Sequence, residues 1–491
     1  MDKKKAFIVF QNANRTLPRQ TSGPGVEIVG ALIPKHLTID NTPLELDPDL
    51  LISIDSLLEP DPDSEFDQII VRMLEKLRTD PNFFYLADRA IGTRDSNRLK
   101  RGLYKYELVG AFGATSIAMV IIRNALNILN KLQPQMICCD CTPHGFEQWV
   151  FCRIAEELDI EVLICAKSPM HWRYRIVKGV YADDVVPGRS DCEEPSQGEQ
   201  ARIDQFLRMN EGDYRDATPD YMKRGERSVF RRLAAFGGNV YGKERQEKLL
   251  LSWHLMRSWK HLHHRQKTGG FWALLSYNLA RLQEYRHFST DCTQDGDGVS
   301  FFLHYQFERT TLPEGRAFAE QSVAIYHLRS LLPPSIKLWI KEHPVMVGRH
   351  VRPTLRPLGF YRALAALPNT SIVDDSVDTF DLIDRSSLVS TVTGTVGFQA
   401  LCRNRPVLAY GAADYSGHPC VADAQVVRNS EDLMHFIETS RAAEFDTERF
   451  LQDVWESSYG VDSSEVSDRG PYDLELCEMA RGKTLQQLVS C

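Results

Sequence analysis

The chain has 491 residues, too many for one hydrophobic core, so two domains are expected. With 43% hydrophobic and 25% charged residues it reads as soluble and globular, and a formal net charge of −8 argues against a general nucleic-acid binder. Eleven cysteines follow no disulfide framework. Cys138, Cys139 and Cys141 cluster without a second ligand group at zinc-finger spacing, so they read as small apolar residues of a buried strand in a reducing compartment.

Met1 to Lys5 lead into Ala6–Phe10, an apolar run of strand length rather than a secretory signal. It is predicted to open a Rossmann-like lobe, with further strands at Val26–Ile33 and Leu50–Ile54. From Phe66 the spacing turns helical, because Ile69, Ile70, Met73, Leu74 and Leu77 share one face. The arginine-rich stretch Asp88–Tyr106, with Gly92 and Gly102, reads as an ordered surface loop. Ile117–Leu132 is helical again, and Arg123 and Asn124 cut its apolar run too short to span a bilayer. Met136–Cys139 follows as a strand that ends in Asp140-Cys141-Thr142-Pro143-His144-Gly145, before a helix over 146–158 and a strand over Ile160–Cys165. Polar residues after a buried strand are where α/β proteins place chemistry. Asp140 or Thr142 serves equally well as a simple helix cap.

From Ser190 to Asp220 the composition turns acidic and polar, as at a lobe boundary. The block Lys223–Lys267 is strongly basic and carries Trp253 and Trp259. Two readings stand: amphipathic helices with a solvated cationic face packed between lobes, or a contact with an anionic membrane surface. A second lobe is expected from Gly298, with a strand at Val299–Tyr305, a helix at Ala317–Leu332 and a strand at Leu338–Ile340 that runs into Lys341-Glu342-His343-Pro344. Ile372–Asp375 ends another strand, Thr379–Asp384 reads as a short helix, and Pro406–Gly411 as a buried strand. Between them, Ser390-Thr391-Val392-Thr393-Gly394-Thr395 supplies hydroxyls and free backbone N–H groups where a helix begins, which suits an anion. Helices at Ser430–Glu438 and Glu448–Ser457 lead to a polar C-terminal tail. The expected divisions are 1–215, 216–297, 298–440 and 441–491. The carboxylate pairs Asp47/Asp49, Asp61/Asp63 and Asp295/Asp297 read as solvated turns, so no metal site is expected.

Several of these residues fall into a familiar pattern. His304-Tyr305-Gln306-Phe307-Glu308, Lys341-Glu342-His343-Pro344, Ser390 to Leu401, Arg405-Pro406-Val407 and Gly411 resemble the capsule polysaccharide biosynthesis family, which includes bacterial β-Kdo transferases of the capsule lipid linker. Thr142-Pro143-His144 in the first half is also similar to such proteins. The resemblance implies an α/β, GT-B-like fold: two Rossmann-like lobes facing a central cleft, with the basic helical segment between them. It further implies a metal-independent glycosyltransferase that needs no cofactor. Its donor substrate would be a CMP-activated, Kdo-like sugar and its acceptor a surface glycan or glycolipid. Such an enzyme would be cytoplasmic, peripheral on the inner face of the bacterial membrane.

Related sialyltransferases set a His-Pro motif and a paired Ser/Thr motif around CMP. Carried over, His343 meets the donor phosphate and Ser390 and Thr391 bond it, with Lys341, Glu342, Pro344, Thr393, Gly394 and Thr395 completing the donor site. The acidic pair of those enzymes is followed by glycine, whereas Asp183-Asp184 is followed by Val185. The catalytic carboxylate is therefore sought at Asp140 first and Glu308 second. Two alternatives remain: a polyol-phosphate transferase using a CDP-glycerol donor, and a non-catalytic capsule assembly or export protein.

Overall fold

The computed structural model describes residues 3–10, 26–33, 50–58, 68–92, 111–181, 184–186, 195–212, 270–291, 298–306, 311–348, 356–441, 445–460 and 474–490. The basic block Lys223–Lys267, Glu308 and the three carboxylate pairs lie outside the described residues.

The first lobe is built on β1 (Lys4–Val9), β2 (Val26–Ile33), β3 (Leu51–Ser53), β4 (Met136–Cys139) and β5 (Glu161–Lys167), all parallel in the order β3-β2-β1-β4-β5. Beyond β5 the sheet turns antiparallel with β6 (Arg173–Lys178), which also pairs with β7 (Asp184–Val185). Successive residues of β1 go to opposite faces, as a pleated strand requires: Ala6 and Ile8 enter one core, Phe7 and Val9 the other. The second of these cores is covered by α1 (Gln68–Thr79), α2 (Asn82–Gly92), α3 (Ala111–Leu132) and α4 (Phe146–Glu157). Helix α2 runs through Asp88 to Gly92, so the arginine-rich stretch begins as helix rather than loop. Its remainder, from residue 93, is outside the described residues. The lobe's next helix is α5 (Gln197–Glu211), started by a capping box in which Ser196 and Glu199 satisfy each other's backbone.

The second lobe begins upstream of the expected boundary at Gly298. Helix α6 (Gly270–Phe288) leads into β8 (Ser289–Thr290), an edge strand of the second sheet. That sheet continues with β9 (Gly298–Phe302), β10 (Lys337–Lys341), β11 (Thr370–Val373), β12 (Ser386–Thr391), β13 (Val407–Ala409) and β14 (Val421–Asp423). The order is β14-β13-β12-β9-β10-β11-β8, with every pairing parallel. Its crossovers carry α7 (Gln321–Leu331), α8 (Pro344–Gly348), α9 (Phe360–Ala365), α10 (Thr379–Arg385) and α11 (Thr395–Cys402), and α12 (Ser430–Arg441) follows β14.

The chain then returns to the first lobe through α13 (Thr447–Glu456), β15 (Tyr459–Gly460) and α14 (Leu474–Ser490). Strand β15 pairs antiparallel with β6, and Ala480, Leu485 and Leu488 of α14 join the core on one face of the first sheet. The expected polar tail is therefore a packed helix in this stretch. Its mixed composition hid an apolar side that only the first sheet makes use of. Each sheet has the doubly wound order of a Rossmann-like lobe, and the two together form a GT-B-like arrangement.

Candidate functional site

In a doubly wound sheet a ligand site forms outside the carboxyl ends of the strands, where successive crossovers depart in opposite directions. In the first lobe that point lies between β1 and β4, and in the second between β9 and β12. Asp140 follows β4 directly, buried at 1% exposure, with its backbone N–H donating to Val9 O at 3.2 Å. His304 follows β9, Thr391 ends β12, and Thr393 and Gly394 follow it.

His304 is held from several sides. Its backbone N–H donates to Gln321 Oε1 at 2.7 Å, and its carbonyl accepts from Arg356 Nη2 at 3.2 Å. Its Nε2 accepts the Thr393 backbone N–H at 3.2 Å and lies 2.8 Å from Thr391 Oγ1. Burial, then charge at His343 and Arg356, push the imidazole down to about 3. Gly394 packs against the same ring edge, and a Cβ there would stand 3.1 Å from His304 Nε2 and 2.8 Å from Thr391 Oγ1. Gly394 is also the N-cap of α11, and no side chain caps that helix. Thr395, its first residue, is exposed. The helix start is fixed by Tyr415, whose hydroxyl donates to Gly394 O at 2.7 Å; Gly397 leaves room for that ring, since a Cβ there would run into it.

The motif at the end of β10 divides its work. Lys341 is buried, and its Nζ donates to Asp374 O at 2.8 Å and Val377 O at 2.6 Å, tying β10 to the turn after β11. Glu342 forms a fully buried pair with Arg356, accepting from Arg356 Nε at 2.8 Å and Nη2 at 3.1 Å, from Tyr361 Oη at 2.8 Å and from the His343 N–H at 2.8 Å. His343 is half-buried beside Tyr305, ring centroids 6.0 Å apart, and its Nδ1 accepts the Val345 N–H at 3.2 Å. Pro344 opens α8 at the first helical position, where no N–H is needed.

Three residues expected at the donor find hydrogen-bond partners inside the protein. Ser390 is fully buried inside β12 and its hydroxyl donates to Leu408 O at 3.1 Å, because the strand is flanked by β9 and β13. Lys341 and Glu342 likewise spend their charges within the protein, on carbonyls and on Arg356. The structure thus gathers Thr391, Thr393 and Gly394 around His304, with Thr395 next in the chain as the first residue of α11. His343 stands one strand further along the same edge.

The two lobes meet where their carboxyl edges face each other. Segment 311–320, after β9, reaches across: Leu312 and Ala319 enter the first lobe's core, and Asn82 Nδ2 donates to Pro313 O at 3.2 Å. Thr142 Oγ1 donates to Glu314 Oε1 at 2.7 Å, with both residues buried. The Glu314 backbone packs on the second sheet's edge, since a Cβ on Gly411 would lie 2.7 Å from both Glu314 O and Thr393 Cγ2. Helices α5 and α11 also touch, through Phe206 and Phe398 stacked at 5.5 Å.

His304, Arg356 and Glu314 escaped assignment from sequence. His304 carried the same signal as His343, a titratable residue ending a buried strand. Arg356 and Glu314 carried none, because their partners are set by tertiary contact.

Residues 325–432 match the family model described as capsule polysaccharide biosynthesis protein, a span that includes the end of β10 and the whole of β12 and α11. No curated protein matches the chain. Among solved structures it is similar to the β-Kdo 2,4 transferase of Thermosulfurimonas dismutans KpsC, at 16% identity and TM-score 0.24, over 44% of this chain and 63% of that one. The β-Kdo 2,7 transferase of the same protein is matched at 12% identity and TM-score 0.24, over 68% and 88%. The UDP-GlcNAc 2-epimerase of Methanocaldococcus jannaschii, solved with UDP-GlcNAc and UDP, is matched at 12% identity and TM-score 0.22, over 84% and 97%. The chain spans less than two thirds of the first of these, and overlaps so loose assign no chemistry. The chain resembles the capsule polysaccharide biosynthesis family over residues 325–432 and carries that segment in the second of two Rossmann-like lobes.

Proposed function

We propose that this chain is a glycosyltransferase that moves an acidic, Kdo-like sugar from a CMP-activated donor to a glycan or glycolipid acceptor during synthesis of a surface polysaccharide. The observation that carries the reading is the second lobe's switch point. There, inside the segment that matches the capsule family, a helix N-terminus without a side-chain cap meets Thr393, Gly394 and His304. The positive end of a helix and its free N–H groups suit a phosphate, and the same groups stabilise the charge that a departing nucleotide develops. His343 stands beside this point as a further donor to that charge. Across the lobe interface Asp140 supplies the carboxylate, either as nucleophile at the anomeric carbon or as base toward the acceptor hydroxyl.

Thermal-shift titration with CMP, CDP, UDP and GDP, followed by transfer assays with CMP-Kdo and CDP-glycerol, tests the reading. Stabilisation by CMP and turnover of CMP-Kdo support it. Turnover of CDP-glycerol alone replaces it with polyol-phosphate transfer, and no response to any nucleotide replaces it with a non-catalytic role in capsule assembly or export. A lipid-linked acceptor would be met at the membrane, where the basic block Lys223–Lys267 supplies the attraction. Binding to anionic vesicles should then weaken as the Debye length falls from ~10 Å at 0.1 M salt to ~3 Å at 1 M. Indifference to such vesicles at low salt removes the membrane from the proposal.

A further inference from the structure

We infer that His304 is a further ligand-binding residue of this site, whose Nδ1–H donates to an anionic oxygen of the nucleotide and whose tautomer is set by the main chain of Thr393. The inference rests on the nucleotide-donor reading above and names a residue that the sequence motifs left without a role.

A backbone N–H only donates, and the Thr393 N–H points at His304 Nε2 at 3.2 Å. Nε2 must then hold a lone pair, and in a neutral imidazole the proton goes to the other nitrogen. The ring stays neutral because burial and the nearby His343 and Arg356 charges hold it at about 3. Thr391 Oγ1, 2.8 Å away, shares the Nε2 position and can donate to it as well, and the other polar contacts of His304 are made by its backbone with Gln321 and Arg356, so Nδ1 has no protein partner among the described residues. His304 is buried, and a donor that the protein leaves without a partner in such a ring is open to a ligand. Its position fits that ligand. The Nε2–Cε1 side of the ring lies against Gly394, the N-cap of α11, which sets the imidazole beside the start of that helix, where N–H groups suit an anion. A neutral donor here also adds no fixed charge beside the Glu342–Arg356 pair, which already reaches the His304 carbonyl.

Two substitutions separate this from a purely structural ring. In His304→Asn the side-chain amide occupies the place of Nδ1, whereas in His304→Gln it occupies the place of Nε2. CMP and UDP binding to the full chain, measured by calorimetry, should survive in His304→Asn to within a few-fold. In His304→Gln it should fall about 10–100-fold, the loss of one hydrogen bond to a charged group. The reverse order, with His304→Gln retained and His304→Asn lost, overturns the inference while leaving the nucleotide reading in place. Wild-type protein that binds neither nucleotide overturns both. Should either variant fail to fold, nitrogen NMR of the histidine-labelled wild type decides: Nδ1–H at neutral pH, perturbed by CMP, supports the inference, and an Nε2–H ring overturns it.

Discussion

At Glu342 burial and charge pull in opposite directions. Burial alone would raise the carboxyl, but the Arg356 charge and bonds from Arg356, Tyr361 and the His343 N–H bring it below its usual value. A carboxylate depressed in the folded state contributes stability that is complete above its unfolded pKa of ~4.3 and is lost as pH falls through the folded value. Denaturation midpoints should therefore drop on acidification below that range in wild type. In Glu342→Gln the drop should be shallower, from a starting stability lower by about 3–5 kcal/mol because Arg356 is left buried and unpaired. Parallel acid limbs in the two proteins would remove the pair from the account. His343 and Asp140 make the complementary test of chemistry. His343→Ala should stay folded and lose ~10²–10³ in transfer rate, the effect of one donor to developing charge. Asp140→Asn keeps size and capping ability, so nucleotide binding should persist while transfer stops; turnover near the wild-type rate in Asp140→Asn moves the search to Glu308.

At the scale of elements, the strand–turn–helix of β12 and α11 separates residues beyond the strand's end from residues inside the sheet. Thr393, Gly394 and Thr395 stand at the mouth because the strand has ended. Ser390, inside the strand, bonds Leu408 O instead. Ser390→Ala should consequently cost about 0.5–1.5 kcal/mol in a denaturant titration, the worth of one hydrogen bond, and leave CMP affinity unchanged. A loss of affinity with unchanged stability would return Ser390 to the donor site. Helix α6 offers a second lesson. Glu284 accepts the Gly359 N–H at 2.8 Å and the Arg362 N–H at 2.9 Å, capping α9 from a distant part of the chain, so α6 belongs to the second lobe.

For the whole molecule the decisive feature is the return of the C-terminus. Arg173 on β6 donates from Nε to Ser458 Oγ at 2.8 Å and from Nη2 to Ser458 O at 2.6 Å, with its guanidinium 3.5 Å over the Trp455 ring. Arg175 beside it donates to Asp414 O at 2.9 Å, linking the first lobe to the loop after β13. The chain that builds the second lobe thus also closes the first. Truncation after Gly460 should strip α14 from the first sheet and expose the core side formed with Ala480, Leu485 and Leu488. The expected outcome is a chain that melts at a clearly lower temperature or aggregates, read by calorimetry and light scattering. A truncated protein with the full melting temperature would mean that α14 is dispensable.

The sequence by itself determined the elements whose signal is local. The apolar runs at Ala6–Phe10, Val26–Ile33 and Met136–Cys139 are strands because short buried runs between turn residues have few other solutions, and the one-sided spacing from Ile69 to Leu77 makes a helix. It also placed His343 and Thr393 to Thr395 at strand ends, through a pattern shared with the capsule family. What the tertiary structure alone decided is every role that depends on a distant partner. Lys341 and Glu342 look like ligand contacts until Asp374 O and Arg356 claim them. Glu314 looks like a loop acid until Thr142, 172 positions away, meets it across the lobe interface. The C-terminal helix looks like a polar tail until the first sheet covers its apolar side. Charge and apolar surface are visible in sequence, but which of them is spent inside the protein depends on contacts that only the folded chain creates.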